Sequence, residues 1–301
     1  MKEVVLITGA NGMVARELSK KIDSEYTVRL LTRKKTTDNE YEWDISNRTI
    51  DDSAFENISH IIHLAGANIS EKRWSDDRKK EIISSRIDSA KLILDTLKKK
   101  NIKLKSFISA SATGIYGAYT SQKIFSEEDE KADDFLGKVV MLWEQAADEF
   151  LSQNVAERVV RVRTSIVLSE KDGALKKMAT PVRLGIGSPI GTGKQYMPWI
   201  HLKDIIGIYE FALKNPQLKG AYNAASPQHT TNEQFTEKIA EVLHKPLFMP
   251  NVPAFVLKII FGELSVALLE GSRVDSQKIQ NAGYRFQFPD LRDSLEDLLK
   301  K

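Results

Sequence analysis

Cysteine is absent from the 301 residues. That excludes disulfides, thiolate nucleophiles and cysteine-ligated metals, while leaving the redox compartment open. Charge of one sign is scarce too: 44 Lys and Arg against 41 Asp and Glu leave a formal net charge of +3. No dense basic block with interleaved aromatics occurs, so nucleic acid is not an expected partner. No apolar run approaches a membrane span, and no basic, apolar and cleavable segments follow one another at the start. No pair of histidines has metal-ligand spacing, and no metal site is expected. A cytoplasmic protein with a small-molecule substrate is the expectation; the oligomeric state stays open.

What is present is an ordinary globular balance, 42% hydrophobic and 28% charged, able to bury a sizeable core. The most informative stretch is VVLITGANGMVARELSKKI, residues 4–22. A β-branched run meets Gly9, Gly12 and Ala15 and then turns into a helical pattern. Gly9 permits a tight turn, Gly12 lets backbone approach phosphate oxygens, and Ala15 is small enough for close helix–strand packing. The open N–H groups at the helix start then face an anion. Thr8, Gly9, Asn11, Gly12 and Met13 are therefore candidate cofactor contacts.

Further apolar runs follow at 27–33, 60–67, 106–112, 158–168 and 220–226, with helix-length segments at 12–22, 76–100 and 135–153. Such alternation implies crossover units and a parallel sheet covered on both faces. The expected fold is α/β, a Rossmann-type doubly wound sheet with a smaller C-terminal substrate lobe. Residues 1–168, completed by 201–226, form the nucleotide-binding part; 169–200 and 227–301 form the lobe. Residues 173–198, rich in Gly and Pro, read as loops over a cleft.

The end of the second strand meets the adenosine ribose in such folds. Here it reads LLTRKK, with no carboxylate in reach by sequence to accept from a 2′-hydroxyl. Arg33 can pair with a 2′-phosphate through its planar fork, which favours NADP(H).

With these residues in place, the chain resembles the extended, epimerase-like branch of the short-chain dehydrogenase/reductase superfamily. TGANGMVA matches that branch's TGxxGxxG with Ala for the last Gly. IIHLAGANI, RKKEIISSRIDSAKLIL, ISASATGIYG, MPWIHLKDI, GAYNAASP and VPAFVLK narrow it to an atypical subgroup of epimerase-family NAD(P)-dependent oxidoreductases with a characteristic C-terminal domain. The likeness runs from residue 3 to about 298. It implies that Asp44 contacts the adenine amine, that Leu64, Ala65 and Gly66 line the dinucleotide, and that Ser109 to Ser111 lie near the nicotinamide.

The superfamily's acid is a Tyr with a Lys four residues on, one face of a helix, the ammonium stabilising the phenolate. Tyr119 and Lys123 match that spacing, but they fall in a loop shortly after the SASAT strand. The family's pair opens the following helix, where Phe135 or Leu136 and Val139 or Val140 stand, with Lys138 out of step. The standard pair is therefore expected to be absent. Ser111 and Thr113 are candidate partners for a carbonyl oxygen and Tyr116 a candidate donor, against the plainer reading of a packed aromatic. Without that relay, the alternative to an enzyme is a non-catalytic NADP(H)-binding sensor or scaffold.

The remaining polar residues divide by context. His63 reads as a satisfied core histidine, His60 as exposed and without a nearby carboxylate. His201 and Asp204 lie in WIHLKD, which resembles the segment that joins the substrate lobe back to the core in extended members of the superfamily; the resemblance implies a structural role, with His201 a further candidate ligand contact. Lys194, Gln195 and Trp199 are candidates to face substrate. GTGKQ lacks the Walker spacing and is rejected as a phosphate loop. Arg73, Trp74 and Arg86 belong to the family-like segments; Arg86 would either bind an anion or brace a carboxylate.

Overall fold

Five consecutive buried residues, Val4–Thr8 (β1), make the central strand, as burial on both faces requires. The computed structural model describes residues 2–300. Helix Met13–Ile22 (α1) follows, then strands Thr27–Thr32 (β2), Glu40–Asp44 (β3), Thr49–Ile50 (β4) and Ile58–His63 (β5). Helix Asp76–Lys99 (α2) leads to Ser106–Ala112 (β6) and the short Ile124–Phe125 (β7). Phe135–Ser152 (α3) precedes Val159–Thr164 (β8) and Ile166–Leu168 (β9). Then come Ala174–Arg183 (α4), Trp199–His201 (β10), Leu202–Lys214 (α5) and Gly220–Ala224 (β11). The C-terminal part holds Asn232–Leu243 (α6), Ala254–Phe261 (α7), Val266–Leu269 (α8), Arg273–Val274 (β12), Gln277–Asn281 (α9) and Leu291–Leu299 (α10).

Eight strands form one sheet in the order β11-β8-β6-β5-β1-β2-β3-β4. Every neighbouring pair is parallel except β3–β4. The chain winds outward from β1 through β2 and β3, then returns to β5 and winds the other way. The order reverses between β1 and β5, and the crevice at their carboxyl ends is where such sheets take ligands. Alternate β1 residues feed two cores, as strand periodicity dictates. Val5 and Ile7 pack with Leu18 and Ile22 of α1 and Ile205 and Ile208 of α5. Leu6 packs with Ile93 and Leu97 of α2 and Phe150 of α3. Helices on both faces of a parallel sheet make this the doubly wound α/β fold that the sequence implies.

A separate core gathers Leu175, Ala179 and Val182 of α4, Trp199, Phe235 and Ile239 of α6, and Leu295 and Leu298 of α10. Its α4 corrects the expectation of loop throughout 173–198. Leu175, Ala179 and Val182 stand at helical spacing and all face this core, so the helix forms despite Pro181 and the flanking glycines. The rest of that segment is pinned rather than free: the amides of Glu233 and Asn232 donate to the carbonyls of Gly193 and Gln195. The expected strand over 158–168 divides at Ser165. Its amide and hydroxyl both donate to the Ala224 carbonyl, at 3.1 and 2.8 Å, and the chain then leaves the main sheet to pair β9 with β10.

Asp204, fully buried in the first turn of α5, ties the C-terminal segment down. Its carboxylate accepts from the amides of Gln287 (2.7 Å) and Phe288 (2.9 Å) and from the Tyr284 hydroxyl (3.0 Å). His201 caps the same helix, Nδ1 accepting from the Lys203 amide, with its ring stacked on Phe288. Both therefore join the C-terminal part to the core. Replacing Asp204 with Ala removes the side-chain acceptor of the Gln287 and Phe288 amides and of the buried Tyr284 hydroxyl. Denaturant unfolding of Asp204→Ala is expected to show a loss of about 2–4 kcal/mol; a loss below about 0.5 kcal/mol would mean that the clamp contributes nothing.

Candidate dinucleotide crevice

The turn after β1 has the shape that its glycines imply. Gly9 adopts φ +72°, and a Cβ there would lie 3.0 Å from the Leu64 carbonyl oxygen. Its own carbonyl accepts from the Gly12 amide at 2.8 Å. Gly12 starts α1 with no side-chain cap, so the helix's first N–H groups have no partner within the turn. Asn11 and Gly12 are exposed and Met13 is half-buried, while Ala15 is buried against the sheet. A cradle without Cβ atoms, facing the positive end of a helix, fits a dinucleotide's pyrophosphate.

Thr8 shapes the opposite wall. It is fully buried, and its hydroxyl oxygen accepts from the amides of Leu64 and Ala65, both at 3.0 Å. The hydroxyl proton therefore goes to Nδ1 of His63, 3.0 Å away. His63 Nε2 must then carry the proton and donate to Ser89 Oγ at 3.1 Å, and Ser89 donates onward to the Ser85 carbonyl. The chain of donors assigns the tautomer. Complete burial, aided by the Arg86 charge, holds His63 neutral and lowers its pKa to about 4. His63 is thus the satisfied core histidine that the sequence implies. Leu64 is half-buried, Ala65 buried and Gly66 exposed.

Beyond β2, Arg33 is exposed and forms no ion pair among the described residues. Two acids on β3 do reach this turn, which local sequence did not reveal. Glu42 accepts from the Lys35 amide, and Glu40 from the amides of Thr36 and Thr37 and the Thr36 hydroxyl. Those bonds, the Thr36 hydroxyl first, hold Glu40 below its ordinary pKa. Both carboxylates fold the loop; neither pairs with Arg33. Asp44, half-buried at the end of β3, accepts from the Asn47 amide and side chain.

A buried polar row lies on the α3 face of the sheet. Ser111, Arg163 and Asn223 are aligned across β6, β8 and β11. Glu144 of α3 accepts from Ser111 at 2.7 Å and pairs with Arg163 through two bonds of 2.8 and 3.0 Å. Burial opposes the Glu144 charge, but Arg163, Ser111 and Arg161 outweigh it and leave its pKa lowered. The Tyr116 hydroxyl donates to Asn223 at 2.7 Å and accepts from Arg163 at 2.9 Å; burial pushes its pKa up to about 12. Sequence reasoning missed Glu144, Arg163 and Asn223. The signal available was an Arg inside an apolar strand and a Glu inside an apolar helix.

Thr113 is half-buried in the 3-10 turn after β6, and its hydroxyl has no hydrogen-bond partner among the described residues. Ser109 is buried and its hydroxyl donates to the Ala110 carbonyl. Leu136 and Val140 stand on the first two turns of α3, both within 4.0 Å of where a Gly114 Cβ would lie. Tyr119 and Lys123 lie outside any helix, and Lys123 pairs with Asp129 at 2.7 Å. Trp74 and Lys79 close on the Phe135 ring, at 4.9 and 5.4 Å.

Three expectations are corrected. His60 is buried, not exposed, and does have a carboxylate partner: Nε2 meets Glu3 at 2.9 Å and Nδ1 meets Ser106 at 2.7 Å. Gln195 does not face a cleft; it is buried, its amide nitrogen donating to the carbonyls of Ile190 and Leu268. Trp199 is fully buried in the core around α4 and α6, while Lys194 is exposed.

These features define a dinucleotide-binding protein of the doubly wound α/β class. The chain belongs to the NAD dependent epimerase/dehydratase family, whose model matches residues 5–225. Residues 252–298 match a domain of unknown function, DUF1731. The epimerase family protein SDR39U1 of Mus musculus is 35% identical over 246 residues, 79% of this chain and 81% of that protein. An epimerase family protein of Staphylococcus aureus (strain NCTC 8325 / PS 47) is 34% identical over 304 aligned positions, 98% of this chain and 99% of its own. The crystal structure of human SDR39U1 (isoform 2) with NADPH matches with a TM-score of 0.89 at 29% identity, covering 99% of each chain. UDP-glucuronic acid 4-epimerase from Bacillus cereus, in complex with UDP-glucuronic acid and NAD, shares the fold, with a TM-score of 0.79 at 18% identity over 99% of each chain.

The His63 chain carries a pH signature. A folded pKa of about 4 against an ordinary 6.5 means that the unfolded chain takes up a proton the folded chain refuses. Stability from this group is full above pH 6.5 and is lost as pH falls towards 4, by about 3 kcal/mol. Denaturant unfolding of wild type and His63→Gln across that window is expected to give a steeper acid limb for wild type. Parallel limbs would contradict the assignment.

Proposed function

We propose that the chain is an NADP(H)-binding oxidoreductase or epimerase-like enzyme acting on a small carbonyl or sugar-type substrate. The carrying observation is the open turn over residues 9–13 combined with an exposed, unpaired Arg33 beyond β2. In this reading the turn takes the pyrophosphate on Gly9, Asn11, Gly12 and Met13, and Arg33 takes the 2′-phosphate. The NADPH in the human SDR39U1 structure supports that choice of dinucleotide. Asp44 meets the adenine edge, and Leu64, Ala65 and Gly66 line the dinucleotide. Thr8 and Ser109 act by positioning, since their hydroxyls are engaged within the protein.

A bound nicotinamide supplies hydride chemistry. Thr113 offers its hydroxyl to the substrate's carbonyl oxygen. Ser111 and Tyr116 are reassigned from catalysis to positioning, because Glu144, Asn223 and Arg163 already hold them. Residues 1–168 with 201–226 carry the nucleotide, and 169–200 with 227–301 form the substrate lobe. The sensor reading draws on one observation, the engagement of both Ser111 and Tyr116. Transfer of deuterium from labelled NADPH into any carbonyl product would rule it out.

The cofactor choice is tested at Arg33. Fluorescence titration of Arg33→Glu is expected to weaken NADPH by at least about tenfold, the scale of one charge-assisted contact, and NADH by less than about threefold. Equal losses for both would remove the 2′-phosphate role.

A further inference from the structure

Among the described residues, Arg86 is a buried cation with no carboxylate partner. It is 9% exposed, and its hydrogen bonds go only to the carbonyls of Ile82 (2.8 Å) and Ala67 (3.1 Å). Burial first, and then the like charge of Arg78, lower its pKa to about 10. That neighbour is already served by Glu81 and Glu71. Sequence left two roles for Arg86, bracing a carboxylate or binding an anion, and the first has no carboxylate to brace. A buried guanidinium without a counter-ion is costly, so a fold that keeps one implies an anion that comes and goes.

The surroundings say where that anion would come from. The guanidinium lies against exposed Gly66, where a Cβ would stand 3.1 Å from its central carbon. It thus sits beside the loop proposed to line the dinucleotide. Its other side covers the Trp143 ring at 4.8 Å, and the buried Trp143 indole N–H has no acceptor. Among the described residues, the indole N–H therefore lacks an acceptor, and the guanidinium has carbonyl acceptors but no anion. On α3, Leu136, Val140 and Trp143 share a face by helical spacing. Glu144, the acid next to them, is paired with Arg163. Arg86, beside them, has no ion-pair partner among the described residues.

We propose that Arg86 is an anion-binding residue that receives a substrate carboxylate beside the Gly66 loop. The planar fork favours a planar carboxylate over a point-like anion, which narrows the substrate class to small carbonyl compounds carrying an acid group. This rests on the nicotinamide-cofactor reading given above.

The test uses oxamate, a small planar carboxylate, titrated calorimetrically into the NADPH-loaded protein at constant ionic strength. Wild type is expected to bind it saturably. Arg86→Gln is expected to weaken oxamate by at least about tenfold while NADPH affinity stays within about threefold. Arg86→Lys, which keeps the charge without the fork, is expected to fall between the two and guards against a glutamine variant that does not fold. NADPH binding without saturable oxamate binding, or equal oxamate affinity in wild type and Arg86→Gln, overturns the proposal alone. Failure of wild type to bind NADPH overturns the cofactor reading and this proposal with it.

Discussion

The closeness of β1 to the loop after β5 governs the rest of this molecule. Gly9 passes so near the Leu64 carbonyl that no side chain fits between them, and Thr8 holds the next two amides with one oxygen. That oxygen has capacity for two acceptor bonds and one donor bond, and all three are used. The result is a crevice with two backbone walls, one ending in the start of α1 and the other in Gly66. Sequence dictates it through three small choices: Thr at the strand end, Gly after it, and a neutral His on the neighbouring strand.

From that joint the polar groups divide into two sets. One is closed: Ser111, Glu144, Arg163, Tyr116 and Asn223 satisfy one another across three strands and a helix. A buried ion pair of this kind is stable when its remaining lone pairs and protons find partners, which the tyrosine and serine hydroxyls provide. The other set is open: the first turn of α1, Arg33 and Arg86 all present donors or positive charge without an anion. A crevice whose open groups are donors and cations suits an anionic ligand, and a dinucleotide, with the acidic substrate proposed above, has that character.

The local parts of this arrangement were legible in the sequence. The strand at 106–112 and the helices at 12–22, 76–100 and 135–153 follow from hydrophobic period, and the glycine turn from its spacing, because each is encoded within a few residues. The strand Glu40–Asp44 was not legible, since its two glutamates look solvated until Thr36 and Lys35 fold back on them. Helix α4 was masked by Pro181 and the glycines around it. His60 looked exposed because its partner Glu3 lies 57 residues away. Likewise Tyr116 looked like a free donor because Asn223 is 107 residues distant. Contacts that depend on strand order cannot be read before the order is known.

The most direct measurement is amide hydrogen exchange along the chain with and without saturating NADPH. Binding at this crevice predicts slower exchange at residues 9–14, where the helix N–H groups would meet phosphate, and at 64–67 opposite them. Unchanged exchange at both segments, with NADPH present in excess, would contradict the account.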